Sequence, residues 1–248
     1  MNITGLLSGI GAIAEKNIRI YYNKPPVFIF GLLFPLFLFF AFYLGRDIDL
    51  QTFLPGFLAM TLFFAASSVG PLITPWEKRD RTFERLLSYP VTLEIILIGD
   101  TVAGALFGFI IAIVITSGSA FLLPVAVAAP WIWVVATFLG AFAFASLGTL
   151  LASPASETPS NIMMLSSLIR FPLIFISGIF IPLSSLAGAS FYLAILSPLT
   201  YLVDLFSFGM HGYSVLDPVT DCIVLLVWTI ALLLVSRTIQ RRNLIKGL

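Results

Sequence analysis

Residues 74–100 read T-P-W-E-K-R-D-R-T-F-E-R-L-L-S-Y-P-V-T-L-E-I-I-L-I-G-D, and they hold the one dense charge cluster in an otherwise oily chain. On either side the charges vanish: 50–76 carries no ionisable group, and neither does 101–156. A segment so placed reads as a water-exposed hinge between two membrane hairpins. A charged helix fixed to spanning helices at both ends can transmit force.

Composition agrees. With 59% hydrophobic and 10% charged residues and a mean hydropathy of +1.07, the chain lies far from soluble domains, where about a quarter of residues are charged. It reads as an integral membrane protein. The net charge of +1 conceals a strong asymmetry along the chain and says little about nucleic acid, but no basic stripe interleaved with aromatics occurs, so nucleic-acid binding is not expected. Cys222 is the single cysteine, so neither a disulfide within the chain nor a thiolate metal site is expected. The first charges are Glu15 and Lys16, with no early basic cluster and no short apolar core before a small-residue cleavage site. No removable signal peptide is expected, and the whole sequence reads as mature protein.

A spanning helix needs roughly 20 mainly apolar residues to cross about 30 Å of hydrocarbon. Six stretches qualify, at 26–45, 52–74, 96–122, 130–151, 161–181 and 218–236, giving an all-α membrane protein with six transmembrane helices. Pro124, Pro130 and the small residues between them supply the turn inside the long uncharged tract. Lys and Arg sort cleanly onto one side, as cytoplasmic loops demand. Lys16, Arg19 and Lys24 precede the first span, Lys78, Arg79, Arg81 and Arg85 separate the second from the third, and Arg237, Arg241, Arg242 and Lys246 follow the sixth. Arg46 is offset by Asp47 and Asp49, and Arg170 lies inside the fifth span. Both termini are therefore expected in the cytoplasm, with 237–248 a basic tail.

Before the first span, Ile3, Leu6, Leu7, Ile10, Ile13, Ala14 and Tyr21 recur at three- and four-residue spacing, while Ser8, Glu15, Lys16 and Arg19 occupy other faces. This predicts an amphipathic surface helix over 1–24, after which Pro25 and Pro26 turn the chain into the bilayer. The apolar stretch 182–217 is broken by Gly188, Pro198, Gly209 and Gly212, and so predicts an outer re-entrant or surface-lying helical pair rather than a seventh span. A seventh span would also put the C-terminal basic cluster outside.

Within the charged stretch, Thr74, Pro75 and Glu77 make a helix start, the Thr and Glu in capping-box spacing and Pro at the first helical position. Trp76, Phe83, Leu86 and Leu87 share one face until Pro90 ends the helix, predicted over 75–90. Glu77 and Arg81 are a favourable pair four residues apart, but Asp80 with Glu84 and Arg81 with Arg85 are like-charged at that spacing. A partner protein matches these charges better than the helix itself does, the plain alternative being a solvated loop held by lipid headgroups.

The run E-K-R-D-R-T-F-E-R-L-L-S-Y-P-V (77–91) resembles the cytoplasmic segment of permease subunits of type-2 ATP-binding-cassette transporters. In those an acidic-basic run, a Thr, a Glu and a Leu-Leu precede a Pro. S-G-I-F-I-P-L (177–183) and S-P-L-T-Y-L (197–202) are similar to the S-G-x-x-x-P and N-P-L-T-Y signatures that flank the outer hairpin of the same permeases. Two positions depart from the pattern: Arg81 stands where Gly is usual and Ser197 where Asn is common. The first leaves the geometry of the coupling helix open.

The resemblance covers essentially the whole chain. It implies an exporter permease of a prokaryotic cytoplasmic membrane that pairs with a second permease copy, an identical one in a homodimer, and binds separate ATP-binding cassette subunits. The helix 75–90 docks into them through Trp76, Glu77, Arg79, Arg81, Thr82, Phe83, Glu84 and Arg85. No G-x-x-x-x-G-K-[ST] loop occurs in the sequence, so ATP and Mg are expected in the partner, with no cofactor or metal and no catalysis in this chain.

Arg170 is the conspicuous charge inside a span, either facing a pathway or snorkelling to the inner headgroups. Thr61, Ser67, Ser68, Ser166, Ser167 and Ser177 are candidates to line a path between subunits, where small hydroxyls also serve as packing residues. Asp100 and Asp221, near span entrances, are expected to face headgroups or water. A path with little charge suits an amphipathic drug-, lipid- or glycan-like cargo. An ion-coupled secondary transporter would use Arg170 and Asp204. An intramembrane serine protease would need a nucleophile beside His211, the only histidine, and Gly188-Ala189-Ser190-Phe191 gives no Gly-flanked turn. A purely structural scaffold is what remains.

Overall fold

Several of the helices carry proline in their first turn, where its missing N–H breaks no hydrogen bond, and apolar runs extend them. The computed structural model describes residues 3–44, 50–89, 91–122, 127–154 and 158–245, and every regular element among them is helical. In chain order the α-helices are α1 (Ile3–Tyr21), α2 (Pro25–Phe28), α3 (Phe34–Tyr43), α4 (Leu50–Ser68), α5 (Gly70–Arg79) and α6 (Thr82–Leu87). They continue as α7 (Leu93–Leu122), α8 (Pro130–Leu151), α9 (Pro159–Ile176), α10 (Ala189–Ile195), α11 (Pro198–His211) and α12 (Pro218–Ile245).

Among the described residues five helices are long and apolar enough to cross a membrane: Gln51–Arg79, Leu93–Ser119, Pro130–Leu151, Pro159–Ile176 and Pro218–Ile245. The first expected span is also helical, with α2 and α3 joined by a π-helical stretch, Ile29–Leu33. This run is about 28 Å long at 1.5 Å per residue. Its apolar part Pro25–Leu38 is shorter than the other five. The broken pair expected at 182–217 is α10 and α11, bent by 90° at Leu196–Ser197 after a 3-10 turn at Leu183–Ser185. If that pair were a single span it would be a sixth.

Several boundaries differ from the sequence reading. No helix begins at Thr74: α5 starts at Gly70, with Pro71 in its first turn, and runs through Thr74 and Pro75. Both are buried, so packing carries the helix past its proline and the predicted capping box is not formed. The charged segment is therefore not one helix over 75–90 but the end of α5, a turn at Asp80–Arg81, and α6. The sixth span continues helically to Ile245, so most of the basic tail extends α12. Arg46, Asp47, Asp49, Pro90, Pro124, Glu157 and Lys246 lie outside the described residues.

The core is centred on α4. Ninety-four per cent of the apolar stretch it shares with α5 is buried, against 22% for α9 and for α12. Phe63 packs edge-on to Phe64 and Phe144, and α7, α8 and α11 surround α4. The break between α4 and α5 is pressed against α8: a Cβ on Gly70 would lie 2.3 Å from the Gly148 carbonyl carbon, and one on Gly148 would lie 2.8 Å from the Ser67 oxygen. Only glycine permits this backbone crossing.

Candidate coupling face and intramembrane polar groups

The charged segment folds as an elbow. Asp80 and Arg81 close the end of α5 with N–H bonds to Trp76 and Lys78, and Thr82 Oγ1 donates to the Glu77 carbonyl at 3.2 Å. Arg81 makes the turn with φ of 54°, the one non-glycine residue at positive φ among those described. A left-handed conformation is one that glycine adopts freely, and arginine adopts it at a cost of about 1–2 kcal/mol.

Phe83 fixes α6 from below. It is 3% exposed and packs with Ile13 of α1 and Ile95 and Ile96 at the start of α7. Arg79, Asp80, Arg81, Thr82, Glu84 and Arg85 are exposed around it. The elbow thus presents both signs of charge outward on an apolar peg.

Besides Phe83, two more of the residues named for docking, Glu77 and Trp76, turn inward. Glu77 is 4% exposed and pairs with Lys16 of α1. The expected Glu77–Arg81 pair is absent because α5 ends at Arg79 and the left-handed turn at Arg81 takes it off the face that carries Glu77. Tyr21 Oη donates to the same Glu77 oxygen at 3.4 Å. Burial, and next the Glu77 charge, push the Tyr21 phenol well above its ordinary pKa, so it stays a neutral donor. Trp76 is half-buried, with its ring 6.0 Å from Tyr21 and Lys24 Nζ 4.3 Å above it in a cation-π contact.

One turn before Tyr21 on α1, Asn17 Nδ2 donates to Asp100 Oδ1 at 2.6 Å, both residues being buried. Asp100 therefore faces α1 and not headgroups or water, and Asp221, fully buried, likewise departs from that expectation. The helix expected to lie free on the membrane surface is clamped to the elbow and to α7 by Lys16, Asn17 and Tyr21, while Leu6, Leu7, Ile18 and Ile20 stay exposed. Sequence periodicity marked the apolar residues of α1 but gave no sign that Asn17 is its most buried polar group.

Within the membrane helices, the hydroxyls of Thr61, Ser67, Ser68, Ser167 and Ser177 all donate to carbonyls of their own helix three or four residues back. Arg170 is neither snorkelled nor open to an aqueous path. It is 5% exposed, and Nη2 donates to the carbonyl of Ser67. Ser166 sits one turn before it on the same buried stripe of α9, with Ile162 and Ile174. Two hydroxyl pairs that nothing in the sequence singled out also join helices: Thr101 with Thr149 at 3.1 Å, and Ser153 with Ser236 at 2.7 Å.

At the other end from the elbow, a cavity of about 860 Å³ opens between the start of α4, the turn at Gly178–Ser184 and α11. Asp204 on its wall accepts from the backbone amides of Val215 and Leu216 at 3.0 and 2.8 Å. Its carboxylate ties down the loop after α11, and Arg170 is engaged with Ser67, so the two do not form the ion-linked pair of a secondary transporter. His211 stacks against Tyr213 at 5.4 Å.

Residues 9–211 match the model of a protein family described as ABC-2 type transporter. Among characterised proteins the chain is similar to the inner membrane transport permease YadH of Escherichia coli K12, 27% identical over 194 residues that cover 78% of this chain and 75% of that protein. The YadH permease of Shigella flexneri aligns with the same identity and coverage. The family match spans the elbow, Arg170 and the bent helical pair.

Proposed function

The chain belongs to the ABC-2 type transporter family as a permease subunit, and we propose that it is the membrane half of an ATP-driven exporter in a prokaryotic inner membrane. Separate ATP-binding cassette subunits supply the energy, holding ATP and Mg, and a second copy of the permease completes the pathway. Both termini and the elbow face the cytoplasm, following the distribution of Lys and Arg.

The observation that carries this reading is the elbow's construction: exposed charges of both signs on a peg, Phe83, that is buried against α1 and α7. A solvated loop has no need of such an anchor. A push on Glu84 and Arg85 is delivered to α7 through Phe83, to α5 through the short turn, and to α1 through Lys16 and Tyr21. The three helices move together, and the membrane-spanning ends of α5 and α7 tilt. Access to the pathway then alternates from one side to the other.

The cargo is amphipathic, of the drug, lipid or glycan-carrier kind. Its support is the chemistry of the membrane helices, which offer apolar side chains and small hydroxyls with little charge. Arg79, Arg81, Thr82, Glu84 and Arg85 make the direct contacts with the ATPase, while Trp76, Glu77 and Phe83 hold the elbow in shape. Co-expression with candidate ATPase subunits tests the reading: a complex that purifies and hydrolyses ATP is expected, and charge reversal at Glu84 or Arg85 is expected to break it.

A further inference from the structure

Between α4 and α5 the helical ladder is interrupted by chemistry that is visible in the sequence once the structure is known. The Ser67 carbonyl would accept from the amide four residues on, but that residue is Pro71, which has none. One turn later the Pro71 carbonyl loses its donor in the same way, to Pro75. Ser67 and Ser68 hydroxyls bond back to Phe63 and Ala65 at 2.6 and 3.1 Å, which bends helices further. A rod that the elbow pushes therefore has its softest point at 67–71, deep in the protein.

Arg170 of α9 occupies that point. Its Nη2 donates to the Ser67 carbonyl, its Nε has no partner, and no carboxylate among the described residues pairs with it. A buried guanidinium is a costly way to satisfy one carbonyl. It is, however, the side chain that reaches from a neighbouring helix and keeps several donors available as the acceptor shifts. On the opposite side the break bears on α8 through Gly70 and Gly148 with no side chain between them.

We propose that Arg170 is a positioning residue that links the break at 67–71 to α9, so that bending driven from the elbow moves α9 with α5. α5 also rests on α9 directly, Met163 lying against the cluster that holds Val69, Leu72 and Ile73, but that apolar contact can slide, whereas Arg170 ties α9 to the break itself. The inference rests on the ATP-driven reading above and adds to it which helix follows the hinge and through which residue.

The test uses the permease–ATPase complex in lipid nanodiscs in a Cys222→Ala background. Single cysteines at Ser88 on the elbow and Met164 on the exposed side of α9 report alkylation rates with and without ATP plus vanadate. The parent protein is expected to change at least threefold at both positions. Arg170→Met is expected to keep the Ser88 response and basal ATPase activity within twofold, and to reduce the Met164 response below 1.5-fold. Arg170→Lys is expected to keep part of it.

The double variant Arg170→Met/Pro71→Ala separates linkage from simple hydrogen-bond satisfaction, because replacing the proline by alanine returns an amide to the Ser67 carbonyl. It is expected to recover the melting temperature lost in Arg170→Met without recovering the Met164 response. Should the single variant not assemble, the double variant decides. A Met164 response that persists in Arg170→Met or returns in the double variant overturns the proposal, as does a parent protein in which Ser88 responds and Met164 does not. If neither position responds in the parent, the ATP-driven reading itself fails and the linkage falls with it.

Discussion

Asn17 and Asp100, 83 residues apart, share a 2.6 Å hydrogen bond in a setting where both are buried, and the bond joins the N-terminal helix to the first third of α7. Together with the Lys16–Glu77 pair it ties α1 to both α5 and α7. Asn17→Leu leaves Asp100 buried without its donor and is expected to cost about 1–3 kcal/mol. Thermal unfolding in detergent reads this as a lowered midpoint, and the double variant Asn17→Leu/Asp100→Leu is expected to regain most of it. Additive losses in the two single variants would contradict the pairing.

Arg81 stands in the left-handed region, where a side chain costs about 1–2 kcal/mol, and glycine would give back about 0.5–1 kcal/mol of that through unfolded-chain entropy. Arg81→Gly is therefore expected to stabilise the chain by about 0.5–1 kcal/mol, and Arg81→Val to destabilise it. Chemical unfolding of the two variants side by side checks the sign. If Arg81→Gly also weakens ATPase binding, the arginine serves docking at the expense of the turn.

The elbow's position was legible from its charges, and the membrane helices from their hydropathy, because both are properties of continuous segments. What α1 does was not. Its apolar residues fix that it is amphipathic, but whether the other face meets lipid or protein depends on Asn17 and Lys16 finding Asp100 and Glu77, which lie on other helices far along the chain. Thr74 and Pro75 carry a good local start signal that is overridden by burial, with the true break set by Pro71 and by glycines packed on another helix. Arg170 was conspicuous as a charge, yet its partner is a backbone carbonyl, and no sequence pattern advertises an orphaned carbonyl except the proline four residues after it.

Gly70 should tolerate no side chain. A Cβ there would fall 2.3 Å from backbone that cannot swing aside, so Gly70→Ala is expected to cost about 3 kcal/mol, at the upper end for overpacking, and to cut the yield of folded protein. Gly11 in α1 is the control: a Cβ there meets nothing within 4 Å. Gly11→Ala is expected to stabilise the helix by up to about 1 kcal/mol. Circular-dichroism melts of the two variants distinguish close backbone contact from general sensitivity to substitution.

Glu84 and Arg85 are exposed and make no buried contact that would hold the fold, so Glu84→Lys and Arg85→Glu are expected to leave stability within about 0.5 kcal/mol. Co-purification of the ATPase subunit is expected to fall at least tenfold, equivalent to about 1.4 kcal/mol of binding. Loss of stability in parallel with loss of the complex would assign these charges to the fold instead.

Whether the elbow receives work from another polypeptide inside the cell is read by photo-crosslinking in intact cells. A photoreactive amino acid is placed at Glu84, with a second at Tyr192 on α10, which is 68% exposed. Glu84 is predicted to give an adduct with an ATP-binding subunit and Tyr192 none. No ATPase adduct at Glu84, or one at Tyr192 in its place, would mean that the elbow is not where the ATPase docks.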